Sequence, residues 1–206
     1  MSKTLYLFYL TCVCLHSALP DIELWNAFID GDKEAFSVLF RRFYPLLFQY
    51  GSKITTDNAL LEDTIQELFL ELWRKQPAQR LLSVKAYLLQ ALKFKLYKTF
   101  RNKNLISSLD EDGFVFELSS ETLLIDSEED IERSQKIFAA LDQLSPRQKE
   151  VIYLKIYKGL SYEEVSDVMQ LNYQVVRNLL YTALKAFKKL CALLAIQLIF
   201  LTVSFC

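Results

Sequence analysis

The chain has 206 residues, 52% of them hydrophobic and 24% charged, with a formal net charge of −1. This balance suits folded helical domains and excludes a disordered chain of low hydrophobicity. Four glycines and a single histidine, His16, leave little material for nucleotide-binding loops or a metal cluster, and no nucleophile elbow or metal-ligand spacing occurs, so the reading is of no enzyme and no cofactor.

Residues 1–20 form an apolar N-terminal extension. Within it LYLFYLTCVCL, residues 5–15, loosely matches a short signal peptide, but one lysine makes a weak n-region and a cut before Leu19 would put His16 at the minus-three position. An extra helix or a misplaced start codon is the better reading. The four cysteines, Cys12, Cys14, Cys191 and Cys206, all lie in the end segments and suggest neither a zinc site nor a disulfide framework.

Residues 21–104 predict a helix bundle. Trp25, Phe28, Ile29, Phe36, Leu39, Phe40 and Phe43 recur at helical spacing, divided by a turn at Asp30-Gly31-Asp32, and Pro45 is expected to bend or restart the helix. A second helix, residues 60–73, has an apolar side of Leu61, Ile65, Leu68, Leu72 and Trp73. Glu62, Asp63, Gln66, Glu67 and Glu71 make an acidic opposite side, which suits either plain solvation or docking on a basic partner helix. A third helix, residues 84–101, turns Tyr87, Leu88, Ala91, Leu92, Leu96 and Phe100 to the bundle. Lys93, Lys95, Lys98, Arg101 and Lys103 give it positive charge, with Phe94 and Tyr97 interleaved. Rings among cations are stacking platforms for single-stranded nucleic acid, unless both rings are simply core. Residues 74–104 hold nine Lys or Arg and no Asp or Glu, so this charge is expected to be unopposed.

Residues 105–127 read as a solvated acidic linker, and residues 105–140 together hold ten acidic and two basic residues. Ile131, Ile137, Phe138 and Leu141 join the next domain, residues 128–190. There Ser145-Pro146 with Gln148 is a capping box with proline at the first helical position. Gly159 ends that helix in left-handed geometry. Ser161 with Glu164 is a second box, opening a short helix with Val165, Val168 and Met169 on one side. After a break at Gln170-Leu171-Asn172 a long helix starts near Tyr173. Its apolar stripe is Val176, Leu179, Leu180, Ala183, Leu184 and Phe187, and Tyr173, Gln174, Arg177, Asn178 and Tyr181 fall outside it. This is the pattern of a helix-turn-helix, though a helical hairpin with a wet polar face has the same periodicity. Arg, Gln and Asn match base edges, and Lys185, Lys188 and Lys189 suit phosphates. Residues 191–206, CALLAIQLIFLTVSFC, form an uncharged apolar tail shorter than a usual membrane span. The fold class is therefore all-α: two small helical domains joined by an acidic linker, the second a helix-turn-helix.

Both halves resemble one family. AFSVLFRRFYPLLFQY (35–50), EDTIQELFLELW (62–73), SVKAYLLQALKFKLYKTFRNK (83–103) and the block 144–190 occur in the order and at the distances seen in bacterial RNA polymerase sigma factors of the sigma-70 family, extracytoplasmic-function (ECF) subfamily. The resemblance implies a region 2-like bundle and a region 4-like helix-turn-helix. It implies that Glu62, Asp63, Gln66, Glu67 and Leu70 dock on the clamp helices of the polymerase β′ subunit. It places Lys93, Phe94, Lys95, Tyr97, Lys98 and Arg101 at the −10 element, in duplex and locally single-stranded DNA. It places Tyr173, Gln174, Arg177, Asn178, Tyr181, Lys185 and Lys188 at the −35 element. Core RNA polymerase and promoter DNA are the implied partners, with a membrane-bound anti-sigma factor as a further one. The implied location is the cytoplasm and nucleoid, with transient membrane association through that factor or the apolar tail.

The chain departs from the family pattern at Lys93-Phe94, where members often have Arg-Asn, at Lys98, where many have Asp or Asn, and at Val175-Val176, where Thr-Val is common. Promoter preference therefore does not transfer from relatives. The alternative reading is a helix-turn-helix regulator that is not a polymerase subunit and uses its bundle for dimerisation or sensing. Stoichiometric co-purification with core polymerase separates the two.

Overall fold

The computed structural model describes residue 16 and residues 18–75, 80–102, 114–115, 139 and 141–204, with side chains described as far as Lys189. The expectations for the N-terminal apolar segment, for most of the acidic linker and for the approach to Leu141 lie outside the described residues. Every regular element among the described residues is helical. The chain divides into two compact units, Met1–Ser108 and Leu109–Cys206.

In the first unit α1 is Asp21–Ile29, α2 is Lys33–Gly51, α3 is Asn58–Lys75 and α4 is Val84–Asn102. Helix α2 packs on α1, α3 and α4, and α4 closes the bundle against α1 and α3. Apolar residues three and four apart put Leu24, Trp25 and Phe28 of α1, Leu39, Phe43 and Leu47 of α2, Leu61, Ile65 and Leu68 of α3, and Leu88, Leu92 and Leu96 of α4 into one core. Each such side chain contributes about 1.5–3 kcal/mol by leaving water. Val84, Ala86 and Leu89 are also buried, which widens the expected inner face of α4. Ile29, Phe36 and Phe40 are only half-buried. The last two belong to an aromatic seam, Phe36 lying 5.0 Å from both Phe28 and Trp73 and Phe40 lying 4.9 Å from Phe69.

Pro45 neither breaks nor restarts α2, which runs through it. The proline is on the exposed side, so the carbonyl one turn back, at exposed Arg41, can turn to water. Arg42 ties α2 to the start of the unit, donating to Asp21 Oδ1 at 2.7 Å and to the Leu19 carbonyl at 2.8 Å.

The turn between α1 and α2 is held at Asp32. Its Oδ1 accepts from the Glu34 and Ala35 amides at 2.8 and 3.1 Å, and its Oδ2 lies 2.8 Å from His16 Nε2. Burial pushes the Asp32 pKa up, but the Ala35 amide, the His16 bond and charge, and the Glu34 amide outweigh it and hold the carboxyl below its ordinary value. Asp32→Ala is expected to destabilise the protein by about 1–2 kcal/mol, a cap lost. A carboxyl depressed on folding stabilises fully above its unfolded pKa, about 4, and loses that contribution as pH falls through its folded value. The gap in melting temperature between the parent and Asp32→Ala should therefore hold near neutrality and shrink as the buffer is taken below pH about 4.

In the second unit α5 is Pro146–Ile152, followed without a break by a π-helical turn, Tyr153–Tyr157; α6 is Tyr162–Met169 and α7 is Tyr173–Ser204. Helices α5 and α6 both pack on α7. Both capping boxes are present, Ser145 with Gln148 and Ser161 with Glu164. Gly159 adopts φ +66°, the left-handed geometry a helix exit requires. Gln170 takes the same role after α6 at φ 54° despite its side chain. The cap of α7 is Asn172, whose Oδ1 accepts from the Val175 amide at 2.8 Å. That bond is made by the backbone amide and does not depend on the side chain at position 175.

Candidate nucleic-acid and partner-binding surfaces

Helix α3 presents Glu62, Asp63, Gln66, Glu67 and Leu70 on its exposed side. Leu70 is 52% exposed, an apolar residue amid carboxylates. Leu61, Thr64, Ile65, Leu68 and Leu72 fill the opposite side and seat the helix in the core. The five are thus gathered on one exposed surface, of which the fold uses only Glu67, whose Oε2 lies 3.5 Å from Lys95 Nζ on α4. Glu71 differs. Its Oε1 accepts from Lys95 Nζ at 2.7 Å, and its Oε2 lies 3.4 Å from Lys75 Nζ. The Lys95 hydrogen bond, against burial and with help from the Lys95 and Lys75 charges, holds the Glu71 carboxyl below its ordinary value.

Helix α4 divides the basic set. Phe94 is 66% exposed, and Lys98 and Arg101 are exposed beside it. Lys93 and Tyr97 are half-buried, with the Lys93 ammonium 6.0 Å from the Tyr97 ring centroid and that ring edge-on to Phe100 at 6.1 Å. Lys95 corrects the expectation of unopposed charge. Its side chain is only 15% exposed and meets Glu71 at 2.7 Å and Glu67 at 3.5 Å. The offsetting carboxylates come from α3, a neighbour in space that a count along residues 74–104 does not see. Lys95→Ala is expected to cost about 1 kcal/mol of stability, since Glu71 is partly solvated and the pair is screened. Lys98→Ala should leave urea unfolding unchanged.

In the second unit Tyr173, Gln174, Arg177, Asn178, Tyr181, Lys185 and Lys188 are all exposed along α7. Val176, Leu180 and Ala183 are buried against the other helices. Leu184, expected in the apolar stripe, is 40% exposed. Gln174 Nε2 donates to Asn178 Oδ1 at 3.3 Å, and the Arg177 guanidinium lies 5.8 Å from the Tyr173 ring centroid. Such a row of planar amide and guanidinium groups on the exposed face of the second helix is what base edges in a major groove require. Among the described residues there is no group of three or more side chains that could hold a metal, and no helix long and apolar enough to cross a membrane.

Residues 39–105 match the profile of sigma-70 region 2, and residues 134–187 match that of sigma-70 region 4. The chain is 22% identical over 168 residues to the ECF RNA polymerase sigma factor SigK of Mycobacterium sp. (strain JLS), covering 77% of this chain and 84% of that protein. It is 25% identical over 174 residues to the ECF RNA polymerase sigma factor SigX of Bacillus subtilis (strain 168), covering 81% and 88%. It shares its fold with CnrH, solved in complex with the cytosolic domain of CnrY, at 18% identity and a TM-score of 0.55 over 82% of this chain and 96% of that one. It shares it also with RpoE of Bartonella quintana, solved with the anti-sigma factor NepR, at 23% identity and a TM-score of 0.52 over 75% and 95%. Two helical units matching these two profiles in this order are those of a promoter-recognition subunit. The chain belongs to the sigma-70 family of RNA polymerase sigma factors, in its ECF subfamily. Its function is to bind RNA polymerase and direct promoter recognition, and the protein itself catalyses nothing.

Proposed function

We propose that three surfaces divide this work. Glu62, Asp63, Gln66, Glu67 and Leu70 of α3 dock on the polymerase. Lys93, Phe94, Tyr97, Lys98 and Arg101 of α4 engage the −10 element as its strands separate, with Lys95 supporting the helix rather than the DNA. Gln174, Arg177, Asn178, Tyr181, Lys185 and Lys188 of α7 engage the −35 element, with Tyr173 at the start of that helix beside them. The observation that carries this reading is the separation on α3: a continuous buried side and, opposite it, five exposed residues, of which only Glu67 is tied to a neighbouring helix. The domains follow as residues 21–104 and 128–190, with residues 105–127 as the linker between them.

An anti-sigma factor is a further partner under this reading, supported by the RpoE–NepR complex. The protein works in the cytoplasm at the nucleoid, where promoters are, and reaches the membrane only transiently, through that factor or the apolar tail. Promoter-directed transcription with purified core polymerase, followed by start-site mapping, tests the reading. A protein that binds duplex DNA yet does not co-purify with core enzyme would instead be a stand-alone regulator. Phe94→Ala is expected to reduce strand opening in permanganate footprints more than closed-complex binding, since a stacked base is worth about 1–3 kcal/mol. Unchanged opening in a folded variant would return Phe94 to the ordinary surface.

A further inference from the structure

We propose that Tyr173 is a positioning residue for Arg177: its ring holds the guanidinium ready for a guanine edge in the −35 duplex, and Tyr162 and Lys155 brace the ring from behind. The proposal rests on the −35 reading above.

Four side chains form a line across the hairpin. Lys155, in the π-helical turn, donates from Nζ to the Leu160 carbonyl at 2.8 Å and lies 4.5 Å from the Tyr162 ring centroid. Tyr162 opens α6, and its ring meets that of Tyr173 at 5.6 Å and 62°, edge to face. Tyr173 opens α7, and Arg177, one turn on, lies with Cζ 5.8 Å from the Tyr173 centroid. Lys155 and Tyr162 are half-buried, whereas Tyr173 and Arg177 are exposed. The line therefore begins on a backbone carbonyl and ends at the solvent-facing guanidinium.

An exposed arginine samples many rotamers, and that freedom must be given up when it binds. Attraction to a ring within about 6 Å narrows those rotamers without engaging a hydrogen-bond acceptor, so the guanidinium keeps its N–H donors for a base. Guanine O6 and N7 require those donors in a planar fork. The Tyr173 ring is already engaged by Arg177 and by Tyr162, so its role is support rather than base stacking. The attraction comes from the ring and not from the hydroxyl, so phenylalanine should serve in its place.

The test uses holoenzyme assembled from full-length protein and core polymerase, on promoter duplexes varied through the −35 element. Tyr173→Leu is expected to lose about tenfold discrimination at the same base pair as Arg177→Ala. Tyr173→Phe should keep that discrimination, and Tyr173→Leu should add nothing in an Arg177→Ala background. A uniform loss across the panel, or full additivity of the two changes, would overturn the proposal. In the free protein, ring-current shifts of the Arg177 Cδ protons should be present in the parent and in Tyr173→Phe and absent in Tyr173→Leu. If those shifts are present but Arg177→Ala leaves the panel unchanged, the −35 reading is what fails. If the shifts are absent while Arg177→Ala alters one position, Arg177 reads unaided and the bracing is wrong.

Discussion

Reversing the character of Glu62, Asp63 and Gln66 by lysine substitution is expected to weaken core polymerase binding by about 2–5 kcal/mol. The three side chains are exposed on α3, and none is part of the buried side that holds the helix in the bundle. The variant should therefore keep its helicity and melting behaviour. Glu67 is left unchanged because its Oε2 lies 3.5 Å from Lys95 Nζ, and a lysine there would oppose an internal cation. Competition against the unaltered protein for a limiting amount of core enzyme measures the loss. Equal affinity in a folded variant would return this face to plain solvent.

Arg177→Ala is expected to cost roughly 1–3 kcal/mol on the preferred promoter and to flatten preference at one position, as the loss of a bidentate contact to guanine would. Lys188→Ala should weaken binding to all duplexes about equally and lower the salt slope by roughly one phosphate contact. Both side chains are exposed on α7, but Arg177 lies within its first two turns, where a helix-turn-helix meets bases, and Lys188 lies three turns beyond. A set of −35 variants titrated at several salt concentrations separates the effects. A uniform loss with Arg177→Ala would move that residue to the phosphate-contacting group.

The features legible in the sequence were the local ones. Ser145 with Gln148, and Ser161 with Glu164, bond within four residues, so spacing alone identifies them. The buried side of α3 follows from helical period, which also leaves Glu62, Asp63, Gln66 and Glu67 outward. What escaped depends on neighbours in space. Lys95 meets Glu71, 24 positions away, across two packed helices, and only the packing turns a cation from an outward charge into an inward tie. Leu184 fits the stripe of α7 by period, yet it is 40% exposed. Phe36 and Phe40 fit the helical period of α2, yet lie at its margin, half-buried among other rings. Asn172 did carry a local signal, an asparagine just before a helical run, and its hydrogen bond to the Val175 amide is an ordinary cap.

The π-helical turn at Tyr153–Tyr157 bears on how this hairpin tolerates changes of length. The Lys158 amide reaches back five residues to the Tyr153 carbonyl, at 2.9 Å, and the Leu160 amide reaches back six to that of Leu154, at 3.1 Å. A wide turn of this kind accommodates one residue more than an α-turn over the same stretch. Removing one residue here would let the backbone tighten to ordinary α geometry with Ser161 still placed to start the next helix. The same deletion within α6 or early α7 has no such slack to absorb it, and would swing every later side chain by about 100° around the axis. Homologues that differ by a single residue between Pro146 and Ser161 can thus keep the same reading helix, whereas a gap inside that helix would replace its outward face with another.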